Sequence, residues 1–259
     1  MTDISITRLS RFPVKGLSAE PLTSLTLSAG EGVPGDRLFG FARFNSGFDP
    51  EHPRPLPKDR FVVLLKEAAL AGLNTTFDDS TQSLKIAVDG SDHVFDMRDA
   101  TKRAEAGNFL HETLRLADPE PPVFVSSAPH RFTDVSVRSP QMMNAISVIN
   151  LASVRDLGTR LNKDIHPARF RANVEIDGLP PWSELDAVGE TLTFGDVQLR
   201  ILSRTKRCAA TEVNPQTAER DLNLPYLLRK ELGHTDMGVY VEVAFGGQLE
   251  LGQTGRLIS

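Results

Sequence analysis

The chain contains one cysteine, Cys208, in 259 residues. That excludes an internal disulfide. It also excludes a zinc finger and an iron–sulfur cluster ligated by this chain, because each needs several thiolates. The six histidines (52, 93, 111, 130, 166 and 234) lie far apart, with no i, i+4 pair and no carboxylate-flanked doublet of the zinc-hydrolase kind. They read as surface or capping residues. No GxGxxG opens a helix, and neither a Walker-type Gly-Lys-Thr nor a GxSxG elbow occurs, so the common nucleotide-binding and hydrolase readings lack support. No apolar run reaches 18 residues, and the opening "MTDISITRLSRFPVKG" has no apolar signal-peptide core. These absences predict a cytoplasmic protein without a membrane span.

What remains is ordinary globular material: 40% hydrophobic and 24% charged residues, enough for one large domain or two intimate ones. The formal net charge of -5 argues against a general nucleic-acid or anionic-membrane surface. Any anion site must then be a local cluster of Lys and Arg.

Most short segments alternate with period two between Gly, Asp or Pro, the signature of many short strands. Examples are Leu25 and Leu27, Leu84-Ile86-Val88 before Asp89-Gly90, and Val174 and Ile176 before Asp177-Gly178. Leu192 and Phe194 precede Gly195-Asp196, after which Val197-Leu199-Ile201 reads as a hairpin partner. Val239, Val241 and Val243 run to Gly246-Gly247, and a return through Leu249 and Leu251 is expected. The pattern predicts a mainly β (α+β) fold with a barrel or strongly curved sheet. Helices are expected over 66–73, 99–116, 151–161 with Asn150 as N-cap, and 224–232. The prolines of "DPEPP" at 118–122 mark a linker, which divides the chain into 1–118 and 119–259. A second Pro-rich run, 48–60, reads as a surface excursion.

A free cysteine is usually a small core hydrophobe. In "RTKRC", however, Arg204, Lys206 and Arg207 crowd the approach to Cys208, and cations beside a sulfur stabilise its thiolate. Such a thiolate serves as a nucleophile or as a ligand to a soft metal centre, and the residues alone leave both open. Spacing nominates no His base for a nucleophile. Ligation through one protein sulfur requires that the other ligands come with a cofactor, as they do for molybdenum held by a pterin dithiolene. That cofactor also carries a phosphate, for which Lys15 in "FPVKG", Arg37 in "PGDR" and Arg171 in "FRAN" are candidates.

In order along the chain, "FPVKGLSAEPL", "GVPGDR", "SVINLASVRDL", "FRANVEIDGLPPWSE", "TFGDVQL…RTKRCAATEVNPQTAERD" and "MGVYVEVAFGGQLELGQTGRL" together resemble the MOSC family, named for the molybdenum cofactor sulfurase C-terminal domain. The resemblance covers nearly the whole chain. It implies a MOSC β-barrel over 119–259, preceded by a smaller β-rich N-terminal domain, and a site for the molybdenum cofactor with Cys208 as the protein ligand to the metal. By the same resemblance Lys15, Gly16 and Arg37 would meet the pterin and phosphate end of the cofactor. Asn150 and Ser153 would contribute at a helix start, Arg171 and Asn173 from "FRAN", and Thr205, Lys206 and Arg207 from the loop leading to the ligand. Ala172 stands where the family has proline. Lys206 replaces a small hydroxyl residue, and Thr205 a cysteine. The run 47–60 differs from the family segment and would line a pocket of different shape.

The resemblance implies two functions. One is an oxidoreductase of the amidoxime-reducing kind, removing oxygen from a small N-hydroxylated or N-oxide substrate with electrons from a separate iron–sulfur or flavin protein, since no cysteine cluster follows the barrel. The other is a carrier that delivers cofactor or sulfur, through Cys208, to an acceptor molybdoenzyme.

Overall fold

Thr-Leu-Thr-Phe at 191–194 places Leu192 and Phe194 in the core and its threonines at half-buried positions, and this alternation is what most of the chain's strands repeat. The computed structural model of the protein describes residues 3–126 and 128–258. Its strands before residue 127 are β1 (Ile4–Arg11), β2 (Glu20–Leu22), β3 (Ser24–Leu27), β4 (Phe39–Ala42), β5 (Asn74–Asp78), β6 (Ser83–Val88), β7 (Ser91–Asp96) and β8 (Val123–Ser126). After it come β9 (Ile146–Asn150), β10 (Val174–Asp177), β11 (Thr191–Phe194), β12 (Val197–Lys206), β13 (Asp236–Phe245), β14 (Gly247–Glu250) and β15 (Thr254–Ile258). The helices are α1 (Ala100–Leu114), α2 (Pro140–Met143), α3 (Leu151–Leu161), α4 (Ser183–Asp186) and α5 (Leu224–Leu232).

Seven strands close into a barrel in the order β10-β9-β13-β12-β11-β15-β1, with β1 hydrogen-bonded back to β10 and β2 appended outside. Closure removes free edges. The fold is thus mainly β, as the alternation predicts, and strands from both sides of the 118–122 prolines share the barrel sheet. Ile6, Val148, Val174, Leu192, Leu199 and Val241 fill its interior. Truncating one of these large side chains, such as Phe194 to Ala, would cost about 3–5 kcal/mol. The β9–β10 pair is parallel. A parallel pair needs a crossover, and α3 supplies it. The N-terminal part adds the β4–β8 ribbon and the β5-β6-β7 sheet. Phe41, Leu84, Ile86 and Phe124 pack there with Ala106 and Leu110 of α1.

The expected hairpin between β11 and β12 turns at Gly195, with Phe194 opposite Val197. The expected return after Gly246-Gly247 differs. β14 pairs with β3 and not with β13, because Gly246 lies against the backbone of Leu27 and Ser28, where a Cβ would come 2.4 Å from the Leu27 carbonyl. Leu249 still reaches the core, but Leu251 is exposed. At 66–73 only a 3-10 turn forms, Ala68–Gly72, since one short turn buries Leu70 without enough residues to propagate an α-helix. The other expected helices form, with Asp99 capping α1 and Asn150 capping α3.

Candidate functional site

Cys208 follows β12 after Arg207, and the hydroxyl and amide of Thr211 both donate to its carbonyl (2.9 and 3.0 Å), fixing the turn in which the half-buried thiol sits. The thiol opens into a cavity of about 320 Å³. Eight Lys and Arg side chains line it: Lys15, Arg37, Lys58, Arg138, Arg169, Arg171, Lys206 and Arg207. Among the described residues the one lining carboxylate is that of Asp134. In a chain of net charge -5 this is a concentrated positive pocket.

Four of the cations, Lys15, Arg37, Arg171 and Arg207, are fixed by hydrogen bonds to backbone carbonyls. Lys15 leaves the "FPVKG" turn, where its amide donates to Phe39 (2.8 Å). Its ammonium is 4% exposed, donates to the Phe132 carbonyl (2.8 Å) and pairs with Asp134. Burial pulls its pKa below the ordinary lysine value, with Asp134 opposing. Gly16 turns the chain at φ 87°, where a Cβ would lie 2.4 Å from the Val62 carbonyl. Arg37 and Arg171 stand at left-handed backbone positions (φ 52° and 50°), and both guanidiniums lie against the Phe12 ring, 4.4 and 4.3 Å from its centroid. Arg37 pairs with Asp36 and donates to the Arg171 carbonyl (3.2 Å). Arg171 donates to the Leu17 carbonyl (2.8 Å), and burial next to Arg37 lowers its pKa to about 9. Arg207 donates to the carbonyls of Met237 (2.8 Å) and Phe170 (3.0 Å) and packs on the Phe170 ring; burial lowers its pKa to about 10.

Of the residues singled out in the sequence, Lys15, Gly16, Arg37, Arg171, Asn173, Thr205, Lys206, Arg207 and Cys208 line this one cavity. Lys206 is exposed at the rim. Asn150 and Ser153, expected at the same site, do not line this cavity. Both are fully buried: Asn150 caps α3 and donates to Glu184 (3.1 Å), and Ser153 donates to Glu184 (2.8 Å) and accepts from the Trp182 amide (2.8 Å). Their polar groups are consumed in tying α3 to α4.

Sequence reasoning missed Lys58 and Asp134. The ammonium of Lys58 lies 3.1 Å from the Cys208 sulfur and 3.4 Å from Asp134. Its burial disfavours the charge, but Asp134 and Cys208 outweigh that and raise its pKa. The Asp134 side chain is itself partly exposed, and Lys15 and Lys58 hold its carboxyl well below the usual range. Lys58 lies in the Pro-rich run 48–60, so that excursion folds back over the site. The basic residue inside that run was the available signal. Arg169, passed over beside Arg171, is 5% exposed and paired with Asp221 at 2.7 Å. The "RD" of the long motif thereby has a structural reading, because Arg220 also donates to the carbonyls of Leu64 and Leu65 (2.8 Å each) and Ala209 (2.6 Å), drawing the cysteine loop onto the N-terminal part.

Among the described residues no group of three or more His, Cys, Asp or Glu is placed to hold a metal ion, and no helix is long and apolar enough to cross a membrane. The chain is 32% identical over 98 residues to the molybdenum cofactor sulfurase of Caenorhabditis briggsae, covering 36% of this chain and 14% of that protein. It is 32% identical over 93 residues to the human mitochondrial amidoxime-reducing component 1, covering 34% of this chain and 27% of that one. The chain therefore spans between about a seventh and a quarter of the length of these relatives. The solved YUAD protein from Bacillus subtilis aligns over 100% of this chain and 99% of its own, at 14% identity and a TM-score of 0.45. The family model of the MOSC domain matches residues 128–254. Those residues supply β9 to β13 of the barrel, β14 and the loop of Cys208, and over them the chain is similar to the MOSC domain.

Proposed function

We propose that the cavity around Cys208 binds the molybdenum cofactor and that the protein is an oxidoreductase acting on small N-hydroxylated or N-oxide substrates. The observation that carries the reading is the pocket itself: the chain's one thiol opening into a cavity with eight cations and a single carboxylate. The residues present fit the group. Among the described residues no set of protein ligands surrounds the thiol, which suits a metal that brings its other ligands with it. Thr205 lines the cavity, and its buried hydroxyl has no hydrogen-bond partner among the described residues, so a polar group of a ligand would satisfy it.

Cys208 would ligate the metal, Lys15, Arg37 and Arg171 would hold the phosphate, and Arg207 and Thr205 would flank the metal end. When bound, the cofactor supplies two-electron redox chemistry. The chain's residues supply the rest. The carbonyl-anchored arginines orient the anion before it arrives, Phe12 and Phe170 keep water from two faces of those guanidiniums, and Lys58 holds a proton beside the sulfur. Loss of oxygen as water from an N-hydroxyl group takes up two protons and two electrons, and the electrons would come from a separate iron–sulfur or flavin protein.

A second reading is a carrier that passes cofactor or sulfur from Cys208 to an acceptor molybdoenzyme. The equal 32% identity to a relative named molybdenum cofactor sulfurase favours keeping it. The test is expression in a cofactor-producing host, metal and pterin analysis, then turnover of a model amidoxime with an artificial electron donor. Loaded protein that turns over supports the reductase. Loaded protein that is inert but activates an apo-molybdoenzyme supports the carrier. Protein without molybdenum or pterin sinks both, and a Cys208→Ala variant with full metal content sinks the ligand assignment.

A further inference from the structure

A second cavity of about 250 Å³ adjoins the first; Gly16, Leu64, Arg169, Arg171 and Ala210 line both. Its floor is the outer face of the barrel where β1 meets β10. There Ile6 pairs with Ile176 and Arg8 with Glu175, which leaves Thr7 as the extra residue of a bulge. The bulge resets the alternation, so Ile6, Leu9, Val174 and Ile176 all enter the barrel core while Glu175 lines the outer cavity.

Glu175 is 9% exposed. Among the described residues its carboxyl accepts no hydrogen bond and forms no ion pair. The Arg8 opposite it turns its Nε to the Ser10 hydroxyl at 3.2 Å. Burial accordingly pushes the Glu175 pKa up, with Arg8 opposing. A buried carboxyl without a donor, aimed into a cavity, calls for a ligand that supplies donors. The rest of the lining is suited to a flat ring: Leu17, Leu70 and Leu73 on the walls, and Phe12 with the Arg171 guanidinium 4.3 Å from its centroid.

We infer that this second cavity holds a bicyclic heteroaromatic ring by its 2-amino-4-oxopyrimidine edge, with Glu175 accepting from the ring N–H and the exocyclic amine. Pterin and guanine share that edge. Pterin is the assignment, and it rests on the cofactor reading of the adjoining cavity, with which this one shares five lining residues, Arg171 among them. Arg171 would then serve each end of the ligand, and Glu175 is a specificity-determining residue of the site.

The experiment titrates the full chain into free pterin, into lumazine, which carries a carbonyl in place of the amine, and into guanosine, following ring fluorescence or its competition. A charged acceptor facing two donors should favour pterin over lumazine by about tenfold to a hundredfold. Glu175→Gln should weaken pterin by about tenfold and abolish the preference, with the thermal midpoint retained. Parent protein that does not prefer pterin to lumazine overturns the inference without any variant. So does a Glu175→Gln protein that keeps the preference, and guanosine binding more tightly than pterin overturns the pterin assignment. Molybdenum content separates the two readings: metal-loaded protein indifferent to lumazine overturns this inference alone, whereas metal-free protein that still prefers pterin supports it and sinks the function proposed above.

Discussion

The carboxylate most worth removing is Asp36, in the "GDR" segment. It is 4% exposed, accepts from the Phe12 amide (2.7 Å) and the Asn173 amide group (3.0 Å), and pairs with Arg37. Asp36→Ala leaves two buried N–H donors unpaired and one guanidinium without its counter-ion in a pocket already crowded with cations. Two N–H bonds to the carboxylate and one ion pair, each at about 1.5 kcal/mol, the low end for bonds to a charged group, add to roughly 4.5 kcal/mol. Breaking a buried ion pair from one side costs about the same, 3–5 kcal/mol. Chains of this size lose about 2–4 °C of midpoint per kcal/mol, so a fall of about 10 °C is expected. Urea unfolding of parent, Asp36→Ala and Asp36→Asn measures it, with Asn intermediate because it retains one acceptor. In a double-mutant cycle with Asn173→Ala the pair should couple by about 1 kcal/mol or more. An Asp36→Ala protein within 1 kcal/mol of the parent would refute the claim that this carboxylate organises the site.

Gly16→Ala should lose about 1–3 kcal/mol in the same unfolding assay, since φ 87° and a carbonyl 2.4 Å from the new methyl leave no relaxed alternative. Lys58→Ala removes the ammonium nearest the Cys208 sulfur, and calorimetry should show inorganic phosphate binding roughly fivefold weaker at low salt, with the gap closing as salt is added. Glu184 tests the corrected α3–α4 network. Burial raises its pKa above 4.5 despite donors from Asn150 and Ser153. As pH rises through 4.5 the unfolded carboxyl ionises first, so this group's contribution to stability falls until the folded one ionises as well. Unfolding free energies from pH 4.5 to neutrality should show that slope in the parent and lose it in Glu184→Gln.

The barrel was legible in the sequence because period-two burial is local. Leu192 and Phe194 announce a strand, and Gly195 announces its turn. The partner of β14 was not, because the double glycine before it has the same chemistry whether the chain folds back on β13 or bends away to a strand more than 200 residues earlier. In the site, Arg171 and Arg207 could be found from their segments. Lys58 and Asp134 acquire meaning only through each other and through Lys15, in contacts spanning 76 and 119 positions. Asn150 and Ser153 show the converse limit. A polar residue at a helix start looks the same whether it caps the helix or meets a ligand, and here Glu184, 31 positions beyond Ser153, decides for the first.

The way the cavity's arginines are anchored bears on what the cavity is for. A buried guanidinium that served only the fold would be expected to sit against a carboxylate, as Arg169 does with Asp221. Arg171 and Arg207 instead spend their donors on the carbonyls of Leu17, Met237 and Phe170, which fix geometry without cancelling charge. Burial without a counter-ion lowers their pKa to about 9 and 10, values still above neutrality, so both remain charged there. The protein thus holds two oriented, uncompensated cations beside its one thiol, at a cost to its own stability that binding an anion would relieve. An anionic ligand should accordingly raise the midpoint of the parent protein, and raise it less in a variant where Arg171→Leu has removed one of the two. An equal rise in both would show that Arg171 has no share in holding the anion.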